Sequence, residues 1–125
     1  MIDLLTMKVY EGDGKKVVDI PSEFKDAAES GHQKLVEAAA EGEDALMEKY
    51  LETLELTPEE VVRGLRSVIR RGDFIPVFLA AGSAEIGIAP LLNAIVNLMP
   101  SPNEMPPALA EGKGEQEELP ASDAS

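Results

Sequence analysis

The residues best placed to do chemistry are acids. Glu37, Glu41 and Asp44 are spaced four and three apart, so they share one face if a helix runs on through Gly42. Three carboxylates on one face could meet a cationic protein, and the same spacing also describes an ordinary solvated face. Glu37 lies two residues from Leu35, roughly 200° around a helix, so this face points away from the apolar one. No carboxylate sits inside an apolar run that would raise its pKa, and general acid–base work has no specific support. His32 is the sole histidine. One histidine excludes a His-based triad or a His-pair metal site within a single chain, and a place beside the apolar stripe of its helix suits a plain edge role. There are no cysteines, which excludes disulfides, zinc–thiolate sites and thiol nucleophiles. Gly12-Asp13-Gly14-Lys15-Lys16 lacks the spacing and the Ser/Thr of a phosphate loop and reads as a hairpin turn. No catalytic residue and no metal site are expected.

Composition bounds the rest. A chain of 125 residues suits one small domain with a tail. Acids outnumber bases 24 to 11, a formal charge of −13. That field repels nucleic acid and anionic membrane and favours a basic protein partner, although solubility alone accounts for the same charge. Aromatics make up only 4%, so the core must come from Leu, Ile, Val, Ala and Met. The longest apolar run, 74–82, is too short to span a bilayer, and no signal peptide is visible. A staple-free small domain fits a reducing cytoplasm.

The patterning predicts the elements that would carry these residues. Residues 2–10 read as a strand and 16–20 as its return, a hairpin over 2–20. Pro21-Ser22 opens a first helix over about 22–42, with Ser22 as N-cap and a stripe of Phe24, Ala28, Gly31, Leu35 and Ala38. A second helix over about 43–52 turns Leu46, Met47, Tyr50, Leu51 and Leu54 inward. Thr57-Pro58-Glu59-Glu60 is a capping box for a third helix over 58–71, which buries Val61, Leu65 and Val68 and ends at Gly72. Phe74 to Leu79 lacks polar alternation and suits a central parallel strand, although Pro76 opposes bonding on both sides. A small-residue turn then leads to a helix over 88–98 with Leu91, Leu92, Ile95 and Leu98 inward. Residues 103–125 read as a disordered tail or linker.

Several runs taken together resemble elongation factor G of the translational GTPases. They are Ile2-Asp3-Leu4-Leu5-Thr6-Met7-Lys8-Val9-Tyr10, Asp19-Ile20-Pro21, His32-Gln33-Lys34-Leu35-Val36-Glu37, Leu46-Met47-Glu48-Lys49-Tyr50-Leu51-Glu52, Glu55-Leu56-Thr57, Pro76-Val77-Phe78-Leu79, and Pro90-Leu91-Leu92 through Leu98 to Pro100-Ser101-Pro102. The resemblance covers roughly residues 1–106. It implies an α/β fragment. Residues 1–72 would be the insertion subdomain of the GTPase domain, a β-hairpin plus three helices. Residues 73–102 would be the closing strand and helix of that P-loop domain.

The phosphate loop, switch regions and Asn-Lys-x-Asp motif of such a protein would precede Met1. The chain alone is therefore expected to have no cofactor and no GTPase activity, while the parent protein would bind GTP or GDP with magnesium. The resemblance assigns a guanine loop to Ala81, Gly82, Ser83 and Ala84. The family's Gly-Ser-Ala-Leu-Lys is met only in part. An ungapped match puts Ser83 and Ala84 where Leu and Lys stand, and reading Gly82-Ser83-Ala84 as the triplet requires a slide of two residues. The missing Lys implies a divergent paralogue. The resemblance also makes Glu37, Glu41 and Asp44 the contact for the basic C-terminal domain of the ribosomal stalk protein. Implied partners are the ribosome and the remainder of the parent GTPase, in the cytoplasm, with no membrane and no direct nucleic acid. The alternative is a free-standing small acidic adaptor for a basic protein.

Overall fold

The computed structural model describes residues 1–12, 16–112, 115–119 and 121. The architecture is mixed α/β, with four α-helices and two small antiparallel sheets among the described residues. The first sheet is a meander of β1 (Ile2–Asp3), β2 (Lys8–Glu11) and β3 (Lys16–Val18), in the order β1-β2-β3. Ile2 pairs with Val9, and Val9 with Val18. The expected single strand over 2–10 is therefore two strands. Asp3 breaks it: its carboxylate accepts the Leu5 N–H at 2.9 Å and the Thr6 hydroxyl at 2.8 Å. Such a local side-chain bond offers the backbone a turn in place of a ladder. Residues 13–15 of the expected hairpin turn lie outside the described residues.

Helix α1 spans Ser22–Ala40, α2 Asp44–Thr53, α3 Pro58–Arg71 and α4 Ile88–Leu98. Ser22 is not the N-cap of α1. The helix starts one residue earlier than expected, so Pro21 holds that place and no side chain caps the end. Helix α3 has the expected capping box, with the Glu60 N–H donating to Thr57 Oγ1 at 3.3 Å and the Thr57 N–H to Glu60 at 2.8 Å. Gly72 closes it in the left-handed region at φ 80°. Glu60 also takes Lys49 of α2 at 2.8 Å. Lys49 and the Thr57 N–H together hold its carboxyl below the ordinary glutamate value.

The core is small and aliphatic. Val36 and Ala39 of α1, Val61, Leu65 and Val68 of α3, and Leu98 of α4 form one buried cluster. Leu46 of α2 is also buried. The expected stripe on α1 holds in part: Ala28 is buried and Leu35 packs against the core, but Val36, Ala39 and Ala40 are buried beside it and Phe24 is about half exposed, at 48%. On α2, Leu51 and Leu54 face solvent, and on α4 so do Leu92 and Ile95. These helices are longer than the face their neighbours cover, so periodicity overstates what is buried.

Residues 74–80 form no regular element and pair with no strand among the described residues, so the expected central strand is absent here. A strand needs a ladder partner, and Pro76 withdraws a donor besides. Residues 103–125 also depart from expectation. Pro102–Glu104 forms a 3₁₀ turn, and β4 (Ala108–Gly112) pairs antiparallel with β5 (Glu115–Leu119). Ala108 stands opposite Leu119 and Leu109 opposite Glu118, a ladder that composition alone does not suggest. Residues 113, 114, 120 and 122–125 lie outside the described residues. No described helix is long and apolar enough to cross a membrane.

Helices α1 and α3 touch through backbone. A methyl placed on Gly64 would fall far inside contact distance of the Ala39 carbonyl, and one on Gly42 would strike the Gly64 carbonyl. Gly64→Ala improves helix propensity by about 1 kcal/mol, but overpacking against rigid backbone costs on the order of 3 kcal/mol. The expected net is a loss of stability of about 2 kcal/mol or more, read by urea denaturation. A variant as stable as the parent would show that the two helices separate freely.

Candidate functional site

The three predicted acids do not share a helix face. Helix α1 stops at Ala40, Glu41 caps it, and Asp44 stands in the first turn of α2. At the break, Gly42 meets the Gly64 backbone so closely that a Cβ would not fit. The acids are instead set around the corner between α1 and α2. All three are exposed, and none forms an ion pair among the described residues. Glu37 accepts from Gln33 Nε2 at 3.1 Å and from the Tyr50 hydroxyl at 3.4 Å. The second bond ties the acid to α2. Asp44 sits where the positive end of the α2 dipole favours it. His32 takes no part in the corner: its Nδ1 lies 2.7 Å from the Leu4 carbonyl and joins α1 to the turn after β1.

Arginine fixes this corner from behind. Arg71 Nη2 donates to the Glu41 carbonyl at 2.9 Å and Nη1 to the Gly42 carbonyl at 3.3 Å, while Ser67 Oγ donates to the same Gly42 carbonyl at 2.8 Å. In the structure, Arg71 closes the end of α1. All four arginines of the chain, Arg63, Arg66, Arg70 and Arg71, fall on α3. That clustering is the available signal. Arg63, Arg66 and Arg70 line an open cleft of about 340 Å³. Arg63 pairs with Glu43 at 3.1 Å and Arg66 with Glu104 at 2.9 Å. The Ser101 N–H, and then Arg66, hold the Glu104 carboxyl below its ordinary value.

The predicted loop Ala81, Gly82, Ser83 and Ala84 is a tight, exposed 3₁₀ turn. Ala81 and Ile86 exchange backbone bonds, at 2.9 Å from Ala81 N–H and 3.1 Å in return. The Ala84 N–H bonds back to the Ala81 carbonyl and the Glu85 N–H to the Gly82 carbonyl. The N–H groups of Gly82 and Ser83 open the turn and take no part in its bonds. Glu85, at φ 55°, and Gly87, at φ 75°, reverse the chain into α4. This turn and the acidic corner stand on separate elements and do not form one site. Among the described residues no cluster of His, Asp or Glu could hold a metal ion.

The segment around the turn is bare on one side. Ile75 is 81% exposed, Val77 84% and Val96 77%. Leu79, Ile86 and Leu92 are exposed as well. A single small domain seldom leaves so many aliphatic side chains of one stretch uncovered.

No protein-family model matches the chain. The chain is similar to a crystallographically solved protein of Thermus thermophilus, at 37% identity and a TM-score of 0.72. That likeness covers 85% of this chain, which spans 17% of the length of the Thermus protein.

Gly87 holds the turn by two constraints. It has a left-handed φ, and a Cβ there would lie 2.5 Å from the Leu79 carbonyl oxygen. Gly82 has neither, with nothing within 4 Å of a Cβ. Gly87→Ala is therefore expected to lose about 2 kcal/mol of stability, and Gly82→Ala to lose well under about 1 kcal/mol. Chemical denaturation of the two variants side by side checks this. Equal losses would mean that the turn is not positioned by Gly87.

Proposed function

We propose that this chain is the insertion subdomain and closing strand–helix segment of an elongation factor G-like translational GTPase, and that it serves that protein as a contact module for the ribosomal stalk. The observation that carries the reading is the bare side of residues 74–98. An extended aliphatic segment, a tight turn and a helix in succession make a strand-to-helix unit of an α/β sheet. Here residues 74–80 have no ladder partner among the described residues, and Ile75 and Val77 are exposed. A sheet supplied by a larger protein accounts for both. The 17% share of the Thermus chain is in keeping with a segment of something longer.

On this reading GTP or GDP and magnesium bind to the remainder of the parent, in the cytoplasm, and the chain alone is not catalytic. The turn at 81–84 would complete a guanine site there through backbone N–H donors. Gly82 and Ser83 have theirs uncommitted by the turn, whereas that of Ala81 is engaged by Ile86. The exposed acids Glu37, Glu41 and Asp44 supply the electrostatic face for the basic stalk domain. A charged rim of this kind acts mainly on encounter rate and fades with salt. The second reading, a free-standing acidic adaptor for a basic protein, draws on the buried cluster that α1, α3 and Leu98 of α4 form within the chain. A native mass near 13.4 kDa would favour it.

The direct test titrates purified stalk C-terminal domain into the chain at low and high salt. The parent chain should bind, and Glu37→Lys with Glu41→Lys should weaken binding about tenfold at low salt, with the gap closing at high salt. Unchanged affinity of the double variant at low salt would sink the stalk contact.

A further inference from the structure

Helix α2 ends in two exposed leucines. Leu51 is 72% exposed and Leu54 70%. Leu54 is the C-cap residue and takes the left-handed conformation at φ 57°, ψ 16°. That conformation suits Gly or Asn and is costly for leucine. Strain of this sort normally persists where something is gained in return. Here the leucine side chain adds nothing to the core. Polar atoms alone fix the turn: the Leu54 N–H donates to the Tyr50 carbonyl at 2.8 Å, and Thr53 Oγ1 lies 2.9 Å from the Lys49 carbonyl and 3.0 Å from that of Glu55. The chain thus holds a strained, solvent-facing leucine in one fixed place, beside a second one three residues earlier.

The surroundings say what would cover it. Glu48, Glu52 and Glu55 are exposed around the pair, and none forms an ion pair among the described residues. Asp44, Glu48 and Leu51 follow one line of α2 at spacings of four and three, so the leucines continue the acidic corner. An apolar centre within a charged rim is the anatomy of a protein–protein contact. The rim repels nucleic acid, and a second copy of a chain of charge −13 would set like charges against each other.

We infer that Leu51 and Leu54 are the apolar anchor of a docking surface for a cationic protein that carries an apolar socket. The inference rests on the stalk reading for its partner and assigns to that contact a second, salt-insensitive component. Charges at Glu37 and Glu41 set the encounter, and the leucines set the residence time.

The test measures association and dissociation rates of the stalk C-terminal domain with the chain bearing Leu54→Asn, Leu51→Ser or both, at two salt concentrations. The expected result for Leu54→Asn is about five- to tenfold weaker binding, mostly through faster dissociation and equally at both salts. Its melting temperature should match or exceed the parent's, because Asn tolerates the left-handed region. Parent-like binding by the double leucine variant, while the Glu37/Glu41 reversal still weakens it, would overturn the anchor and leave the acidic contact standing. A lower melting temperature for Leu54→Asn would also overturn it, since the leucine would then serve the fold. No binding by the parent chain at either salt would bring down both readings.

Discussion

The approach of α1 to α3 is the contact on which the rest of the chain depends. Gly42 and Gly64 let the two backbones meet where any side chain would hold them apart. Close backbone approach of this kind is where glycine's missing Cβ is needed. At this point of approach α1 ends, with Ala40 its last residue. Its last carbonyls then need donors, and α3 supplies them through Ser67 and Arg71. The reversal at 41–43 sets the direction of α2, and Lys49 fastens α2 to Glu60 at the start of α3. The acidic corner thus stands at the point where α1 and α3 come closest.

That contact also divides the molecule into unlike surfaces. Among the described residues, the buried hydrophobic side chains include none between 69 and 97, so the core belongs to the three earlier helices and the last residue of α4. A chain this short cannot cover every apolar stripe that its sequence writes. The uncovered aliphatics therefore gather on 75–96, while the acids collect around α1 and α2. Three of the arginines, all confined to α3, are spent inside the chain: Arg71 closes the end of α1, and Arg63 and Arg66 pair with Glu43 and Glu104. What remains outward is predominantly acidic on one element pair and predominantly apolar on another.

Local signals in the sequence are reliable where the physics is local. The Thr57–Glu60 box, Pro58 at the first turn and Gly72 at the end define α3 almost to the residue, because a cap is decided within four residues. The start of α1 falls one residue from its expected place and the strand over 2–10 is cut in two, in each case by a polar or rigid side chain competing with the regular element. The segment 74–80 reads as a strand in composition, yet a strand is a pairing and not a property of one segment. The two leucines at the end of α2 fit an inward pattern by spacing and are nonetheless exposed.

The amino-acid sequence by itself determined the helices, the aliphatic character of the core, the strong negative charge and the candidate acids, all set by residue type and short-range spacing. Only the tertiary structure decided that the acids flank a corner between two helices. It alone assigned Arg71 to the end of a different helix, and Leu54 to a strained, exposed turn. Each of these depends on which backbones come within a few ångströms across tens of residues of chain. Such distances are governed by long-range packing, which no local pattern records.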